Sequence, residues 1–473
     1  MLSEDTLFLT INELSERIRK RQISPVELTE SYLERSRKIG PRLNAYATLT
    51  PELALEQARI AEKEIGEGRY RGPLHGIPYA AKDLLAVKGY PTGWGARPYA
   101  DQKFNYDATV VRKLTEAGAI LLGKAAMIEL AGGMGYRYAS ASASGPAKNP
   151  WNDGCWTCGS SSGSAAVAGA ALAAFAIGTE TWGSILCPSA FVGLSGLRPT
   201  FGRVGRDGAM ALAYSMDKIG PIARSAEDCD LVLKAISGHD SGDAGSLPEP
   251  LAKYQGAPAP HSTIRVGWIV NQWREISPGV NSAITVAQEV LRRTPALTMT
   301  TATLPEGPWE TAAGIIISVE GAAAFRELIQ SGRVAQLNDP LGKIGGYMNE
   351  EISAADFITA QRIRGILQKK MDELFSHVDV LATASLPVVA SKLDANLDDA
   401  LSFPDPIGGI GNFCGLPAIS VPCGFAEGGL PAGLQFIGRP LDDAKVVQVA
   451  QLFQQQTNWH RRRPNLAEAP GIS

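Results

Sequence analysis

Residues 165–177 carry no charge and are mostly alanine, with glycine- and serine-rich segments on either side. Side chains this small let neighbouring backbone come close, so the run suits a buried helix packed tightly against other elements. It is shorter than the roughly 18 residues a membrane span requires. Around it, short apolar runs alternate with helical patterns. His75-Gly-Ile-Pro-Tyr-Ala-Ala-Lys82-Asp83 reads as a short strand ending at Lys82. Ala119-Ile-Leu-Leu-Gly123 reads as another, preceded by a helix through Val111 and Leu114. Such alternation predicts an α/β fold, a sheet covered by helices.

The N-terminal region predicts two helices. Thr10 and Glu13 form a capping box, and Ser24, Pro25 and Glu27 supply an N-cap, a first-turn proline and a second box. Val26, Leu28, Tyr32 and Leu33 then make an apolar stripe at helical spacing. In the second half, Ile264-Arg-Val-Gly-Trp-Ile-Val270 and Val378-Asp-Val-Leu-Ala-Thr383 read as strands, and residues 353–375 as a helix. Residues 240–262 are rich in Ser, Gly, Pro and Asp. They read as an irregular connector inside one domain of residues 1–473, whose chemical core is expected at about residues 70–225.

Charge is nearly balanced, 45 basic against 48 acidic residues for a net −3, so no nucleic-acid surface is expected. The first residues lack a basic segment followed by an apolar one, which points to a cytoplasmic protein without a signal peptide or membrane contact. Six cysteines in 473 residues do not form a disulfide scaffold. Cys155-Trp-Thr-Cys158 is a lone C-x-x-C, and the five histidines are scattered, so the cysteines read as isolated core or loop residues. No metal and no cofactor are expected.

Chemistry concentrates in Tyr79-Ala-Ala-Lys82-Asp83, Cys158-Gly-Ser160-Ser-Ser-Gly-Ser164 and Gly178-Thr-Glu-Thr-Trp-Gly-Ser184. Serine is a poor nucleophile unless a base takes its proton. No histidine neighbours either serine in sequence, and no G-x-S-x-G elbow is present. A lysine can serve instead where burial holds it neutral. Each element alone has an ordinary reading. A Gly/Ser-rich segment is commonly a flexible loop, a lone lysine is commonly a surface charge, and no P-loop pattern occurs.

The three segments together, in this order, resemble the amidase signature family, whose members hydrolyse or transfer amides with a Ser-Ser-Lys triad. Further similarity lies in Asn149-Pro-Trp-Asn152, Gly196-Leu-Arg-Pro-Thr-Phe-Gly-Arg-Val204, Ser215-Met-Asp217-Lys-Ile-Gly-Pro221, Asn412-Phe-Cys-Gly-Leu-Pro, Gly433-Leu-Gln-Phe-Ile-Gly438 and Trp459-His-Arg-Arg-Arg-Pro464. The resemblance implies a central twisted mixed sheet with helices on both faces. It implies Ser184 as nucleophile, Ser160 as the bridging serine that follows a cis peptide bond, and Lys82 as base. Backbone N–H groups of Thr181, Trp182, Gly183 and Ser184 would form the oxyanion hole. Three positions depart from the family pattern. Trp182 stands where glycine is usual, Glu180 where Asp is common, and Leu186 where Arg is common. The bracing of the serines is therefore expected to be rearranged, and Glu180 is not assigned a catalytic role.

Substrate choice rests on pocket walls rather than on the triad. Gly132, Gly133, Met134, Gly135 and Tyr136, together with Trp182, are candidate wall residues, although the glycine run reads equally well as a plain turn. A wall built from Met134 and Trp182 would be largely apolar. The expected activity is hydrolysis of aryl or apolar amides, with possible ester or carbamate cleavage, by a monomer or homodimer acting on a small-molecule amide or carbamate. The alternative is the glutaminase subunit of a tRNA-dependent amidotransferase complex. A non-catalytic scaffold is disfavoured by the intact Lys82, Ser160 and Ser184.

Overall fold

The structure is a computed structural model, and residues 1–248 and 263–466 are described. Much of the predicted connector, residues 249–262, lies outside them. In chain order the strands are β1 (Tyr46–Leu49), β2 (Pro78–Lys82), β3 (Ile120–Ala125), β4 (Lys148–Asn149), β5 (Asn152–Trp156), β6 (Phe175–Glu180) and β7 (Ser195–Arg198). They continue as β8 (Lys218–Ala223), β9 (Ile264–Ile269), β10 (Leu297–Ala302), β11 (Val380–Ala384), β12 (Ala418–Phe425) and β13 (Pro431–Gly438). β4 and β5 pair by themselves; the rest form one 11-stranded sheet in the order β1-β3-β2-β6-β8-β7-β12-β13-β11-β9-β10. Strands from before and after the connector thus share one sheet. It is mixed: β3-β2-β6 and β11-β9-β10 are parallel, and the strands between them antiparallel.

Alternate side chains of a strand point to opposite faces. On β11, Val380, Ala382 and Ala384 join one apolar cluster and Leu381 joins another. On β13, Leu434 and Phe436 face the first cluster and Ile437 the second. Helix Pro278–Arg293 covers the first face with Val280, Ile284 and Leu291. Helices Trp309–Ala324 and Ala354–His377 cover the second with Ile316, Leu367 and Phe375. The expected sandwich of helices around a mixed sheet is what forms.

The capping box closes as predicted: Thr10 Oγ1 accepts the Glu13 amide, and Glu13 accepts the Thr10 amide. Ser24 caps helix Pro25–Leu43 by accepting the Glu27 amide; among the described residues, the return bond from Ser24 to the Glu27 side chain that the predicted second box would add does not form. The alanine-rich run differs from expectation. Helix Ser162–Gly169 takes only its first part; the chain then reverses, with Ala171 at φ 52°, and re-enters the sheet as β6. Phe175 and Ile177 favour a strand, and the reversal can be buried because distant side chains satisfy its carbonyls. Arg35 donates to the Ala170 carbonyl, Ser36 and Tyr46 to Leu172, and Arg224 to Ala174. The small side chains serve close approach as predicted. A Cβ on Gly163 would lie 2.4 Å from the Ala126 nitrogen and 2.5 Å from the Ala45 oxygen.

Candidate active site

β2 and β6 are parallel neighbours, with Ala81 paired to Ile177. Both strands therefore deliver their carboxyl ends to the same edge of the sheet, where ligand crevices form in α/β folds. Lys82 ends β2, and β6 ends at Glu180, just before the loop that carries Ser184. Lys82 is fully buried. Its Nζ lies 2.7 Å from Ser160 Oγ, 3.0 Å from Ser161 Oγ and 2.9 Å from Thr179 Oγ1. Burial pushes the ammonium down to about 7, against the opposing pull of Asp217 and Glu180.

The Gly159–Ser160 peptide is cis, as the resemblance implied. Ser160 is buried and bonded to Lys82. Ser184 forms no hydrogen bond with Ser160 among the described residues, but the two serines meet one cavity through their neighbours. That cavity, of about 300 Å³, is lined by Gly159, Trp182, Gly183, Tyr136, Phe403 and Asp405, among others. Thr179 and Thr181, on the alternate side of the same segment, line a second cavity of about 220 Å³ with Ala131. The first is the better substrate site because the residue before each serine lines it.

Residues 182–184 form a turn in which Gly183 takes φ 76°, a conformation glycine adopts without penalty. Among the described residues, the amides of Trp182, Gly183 and Ser184 donate to no protein acceptor. Unused backbone donors beside a nucleophile are what an oxyanion hole requires. Trp182 lines the cavity as expected, with Nε1 donating to Asp405 Oδ2 at 3.3 Å.

The wall residues need correction. Residues 130–132 form a tight turn with positive φ at Leu130, Ala131 and Gly132. Met134 is buried in the core against Gly345 and Gly346. Neither cavity described above is lined by Gly132, Gly133, Met134 or Gly135; of that segment Tyr136 lines the first cavity, and the preceding Ala131 lines the second. Gly133 and Met134, which follow the turn, are buried, which spacing alone does not reveal.

The cysteine reading also changes. Cys158 and Cys187 form a disulfide, while Cys155 is buried and free. The partners are 29 residues apart, and only the tertiary fold brings them together.

Arg198, Asp217 and Asn412, which organise the site with Glu180, were given no role by the sequence reading. Glu180 Oε2 accepts the amides of Ile185 and Leu186, fixing the turn after Ser184. Glu180 Oε1 accepts from Arg198 at 2.8 Å and from Asn412 at 3.0 Å. Burial pushes Glu180 upward, but Arg198, the Leu186 amide and Lys218 outweigh it and hold the carboxyl below its ordinary range. Arg198, from β7, thus supplies the cation that Leu186 cannot. Asp217 accepts from Thr181 Oγ1 at 2.5 Å and from the Leu212 and Ala213 amides, steadying the other end of the loop. Arg198, Asp217 and Asn412 all stand in segments that carried the family resemblance.

Glu180 and Arg198 are both almost wholly buried. Removing one member of such a pair strands the other charge, so Arg198→Met is expected to cost about 3–5 kcal/mol of stability. Urea denaturation checks this; an unchanged midpoint and slope would show that Glu180 is held without Arg198.

Comparison with known proteins agrees with this geometry. The profile of the Amidase family matches residues 27–447. A protein of Moorella thermoacetica, named as the A subunit of a glutamyl-tRNA(Gln) amidotransferase, is 36% identical over 98% of this chain and 99% of its own length. A protein of the same name from Chloroflexus aggregans is also 36% identical over 98% of this chain and 99% of its own. The native peptide amidase structure from Stenotrophomonas maltophilia superposes with a TM-score of 0.83 at 29% identity, covering 97% of this chain and 99% of that one. The buried lysine at the end of β2, the cis-linked serine and the loop serine after β6 lie on a fold and sequence shared with these proteins, and the chain belongs to the amidase family, the amidase signature enzymes.

Proposed function

We propose that this chain hydrolyses the C–N bond of neutral aryl or apolar amides, and related carbamates, through an acyl-enzyme on Ser184. The observation that carries the reading is the environment of Lys82 Nζ. Ser161 donates its hydroxyl hydrogen to the Thr179 carbonyl at 3.1 Å, so toward Lys82 it can only accept. Thr179 Oγ1 takes a second N–H. A neutral amine then has its lone pair left for the Ser160 hydroxyl at 2.7 Å. Ser160 Oγ can in turn take the proton of Ser184 Oγ as that oxygen bonds to the substrate carbonyl carbon.

The oxyanion is held by the free amides of residues 182–184. When the tetrahedral intermediate collapses, the C–N bond breaks and the relay returns the proton to the leaving amine. Water then attacks the ester on Ser184 and restores the serine. Ser161→Ala is expected to lower kcat roughly tenfold or more, because it frees an N–H of Lys82 and lets the lone pair turn away. Steady-state kinetics with Ser161→Thr as the conservative control checks this.

The substrate class follows from the cavity wall. Tyr136, Trp182, Leu186, Leu386, Leu401 and Phe403 make it largely apolar and aromatic. Its charged members are Glu180, Glu310 and Asp405, with Arg198, which is already paired to Glu180. A carboxylate-bearing substrate would lose hydration without gaining a free cation. A second reading, a glutaminase subunit of a tRNA-dependent amidotransferase, is favoured by the names of the 36% identical relatives. Glutamine carries a carboxylate, and the described residues that line this wall include no free cation for it.

Purified chain alone should be offered an aryl anilide, an aliphatic amide, glutamine, an aryl ester and an aryl carbamate. Turnover of anilide or carbamate with little action on glutamine is expected. Turnover of glutamine only, or activity appearing only once a partner protein is added, would overturn the reading in favour of the amidotransferase.

A further inference from the structure

The Cys158–Cys187 disulfide joins the two serine-bearing segments. Cys158 lies two residues before Ser160, and Cys187 three residues after Ser184. Their Cα atoms are 6.0 Å apart. Both cysteines line the cavity that also meets Gly159, Trp182 and Gly183. Other ties between these regions act further back: Ser161 bonds to Thr179, and Ser164 to the Ile177 carbonyl, so they hold β6 and not the Ser184 turn. On the Ser184 side, Glu180, the last residue of β6, accepts the Ile185 and Leu186 amides, so among the described residues hydrogen bonds connect the Ser184 turn to Ser160 only indirectly, through β6. The disulfide is the direct covalent link between the segment that carries Ser160 and the turn that carries Ser184.

We infer that the Cys158–Cys187 disulfide is a positioning element for acyl transfer at Ser184, and that its reduction slows the enzyme. The inference rests on the assignment of Ser184 and Ser160 made above. Cys158 has φ 68°, a left-handed conformation uncommon outside glycine, and it is followed directly by the Gly159–Ser160 peptide. Cutting the crosslink removes the covalent tie between this residue and Cys187 and leaves the backbone that leads into Ser160 free to shift relative to the Ser184 turn. A displacement of about 1 Å between reacting groups can cost around a hundredfold in rate.

Access also fits redox control. Cys158 is 4% and Cys187 8% exposed, and both line the cavity, so a small dithiol that enters the cavity meets the bond there. Such a reductant supplies two electrons and two protons. The Sγ–Sγ bond breaks, both cysteines become thiols, and the dithiol closes to its own disulfide. Burial raises the neighbouring Cys155 thiol, against the weaker pull of Lys392, so little thiolate is present to reshuffle the pair.

The test uses the full chain purified without reductant. Thiol counting after denaturation should find four reactive cysteines before reduction and all six after it. Reduction with a dithiol should lower kcat per Ser184, titrated with a fluorophosphonate, roughly tenfold or more, with KM little changed and activity restored on reoxidation. A structural bond alone would reduce the titratable fraction and leave kcat per site intact. The Cys158→Ala/Cys187→Ala variant should be slow from the start and unresponsive to reductant. Prior occupation of the cavity by the fluorophosphonate should slow reduction.

Six reactive thiols in unreduced protein would overturn the inference. So would equal rates of fluorophosphonate labelling in both redox states, with Ser184 still standing as nucleophile. Absence of labelling in either state would instead refute the Ser184 assignment on which the inference depends.

Discussion

Ser184→Ala is expected to lower amide turnover by about four to six orders of magnitude, while the fold and substrate binding survive. The loss follows from the absence of any substitute nucleophile in the same place. Ser160 is buried and committed to Lys82, and Ser161 and Ser164 are bonded to backbone carbonyls of β6. Alanine at position 184 removes only an oxygen, and the turn is held by Glu180 through backbone amides that do not depend on the side chain. Folding, read by thermal denaturation, should therefore change little. The residual rate would reflect the free amides of residues 182–184 and binding alone. Wild-type-like turnover in this variant would sink the acyl-enzyme mechanism.

Lys82 carries the second large effect. Lys82→Met keeps much of the apolar stem in its buried site but removes the proton acceptor, and kcat should fall about a thousandfold or more at neutral pH. Lys82→Ala should be at least as slow and less stable, since it also opens a cavity. The wild-type pH profile supplies an independent check. A lysine held down to about 7 by burial is protonated below that pH and neutral above it. Only the neutral form can take the proton, so kcat/KM should rise about tenfold per pH unit below 7 and level off above it. Lys82→Met should lose this limb. A wild-type profile flat from pH 5 to about 9 would exclude a titrating lysine base.

Glu180 shows how a departure from a family pattern can be absorbed elsewhere. Leu186 lacks the charge that position commonly bears, and the sequence alone predicts a rearranged brace without naming it. The structure brings Arg198 from β7 and Asn412 from helix Pro406–Phe413 onto the longer carboxylate. These residues stand 18 and 232 positions from Glu180 in the chain, so no local pattern joins them.

What the sequence determined by itself is local or compositional. Caps at Thr10 and Ser24, the strand ending at Lys82, and the three chemical segments follow from short-range hydrogen bonding, side-chain period and residue type. These rules act over a few residues, and a chain displays them directly. Tertiary structure decided the remainder: the break of the alanine-rich run into helix and strand, the burial of Met134, the Arg198 brace and the Cys158–Cys187 bond. Each depends on which distant backbone carbonyl, cavity or thiol arrives beside a residue once the sheet closes. That proximity is paid for by burial across the whole core and leaves no mark in the spacing of neighbouring residues.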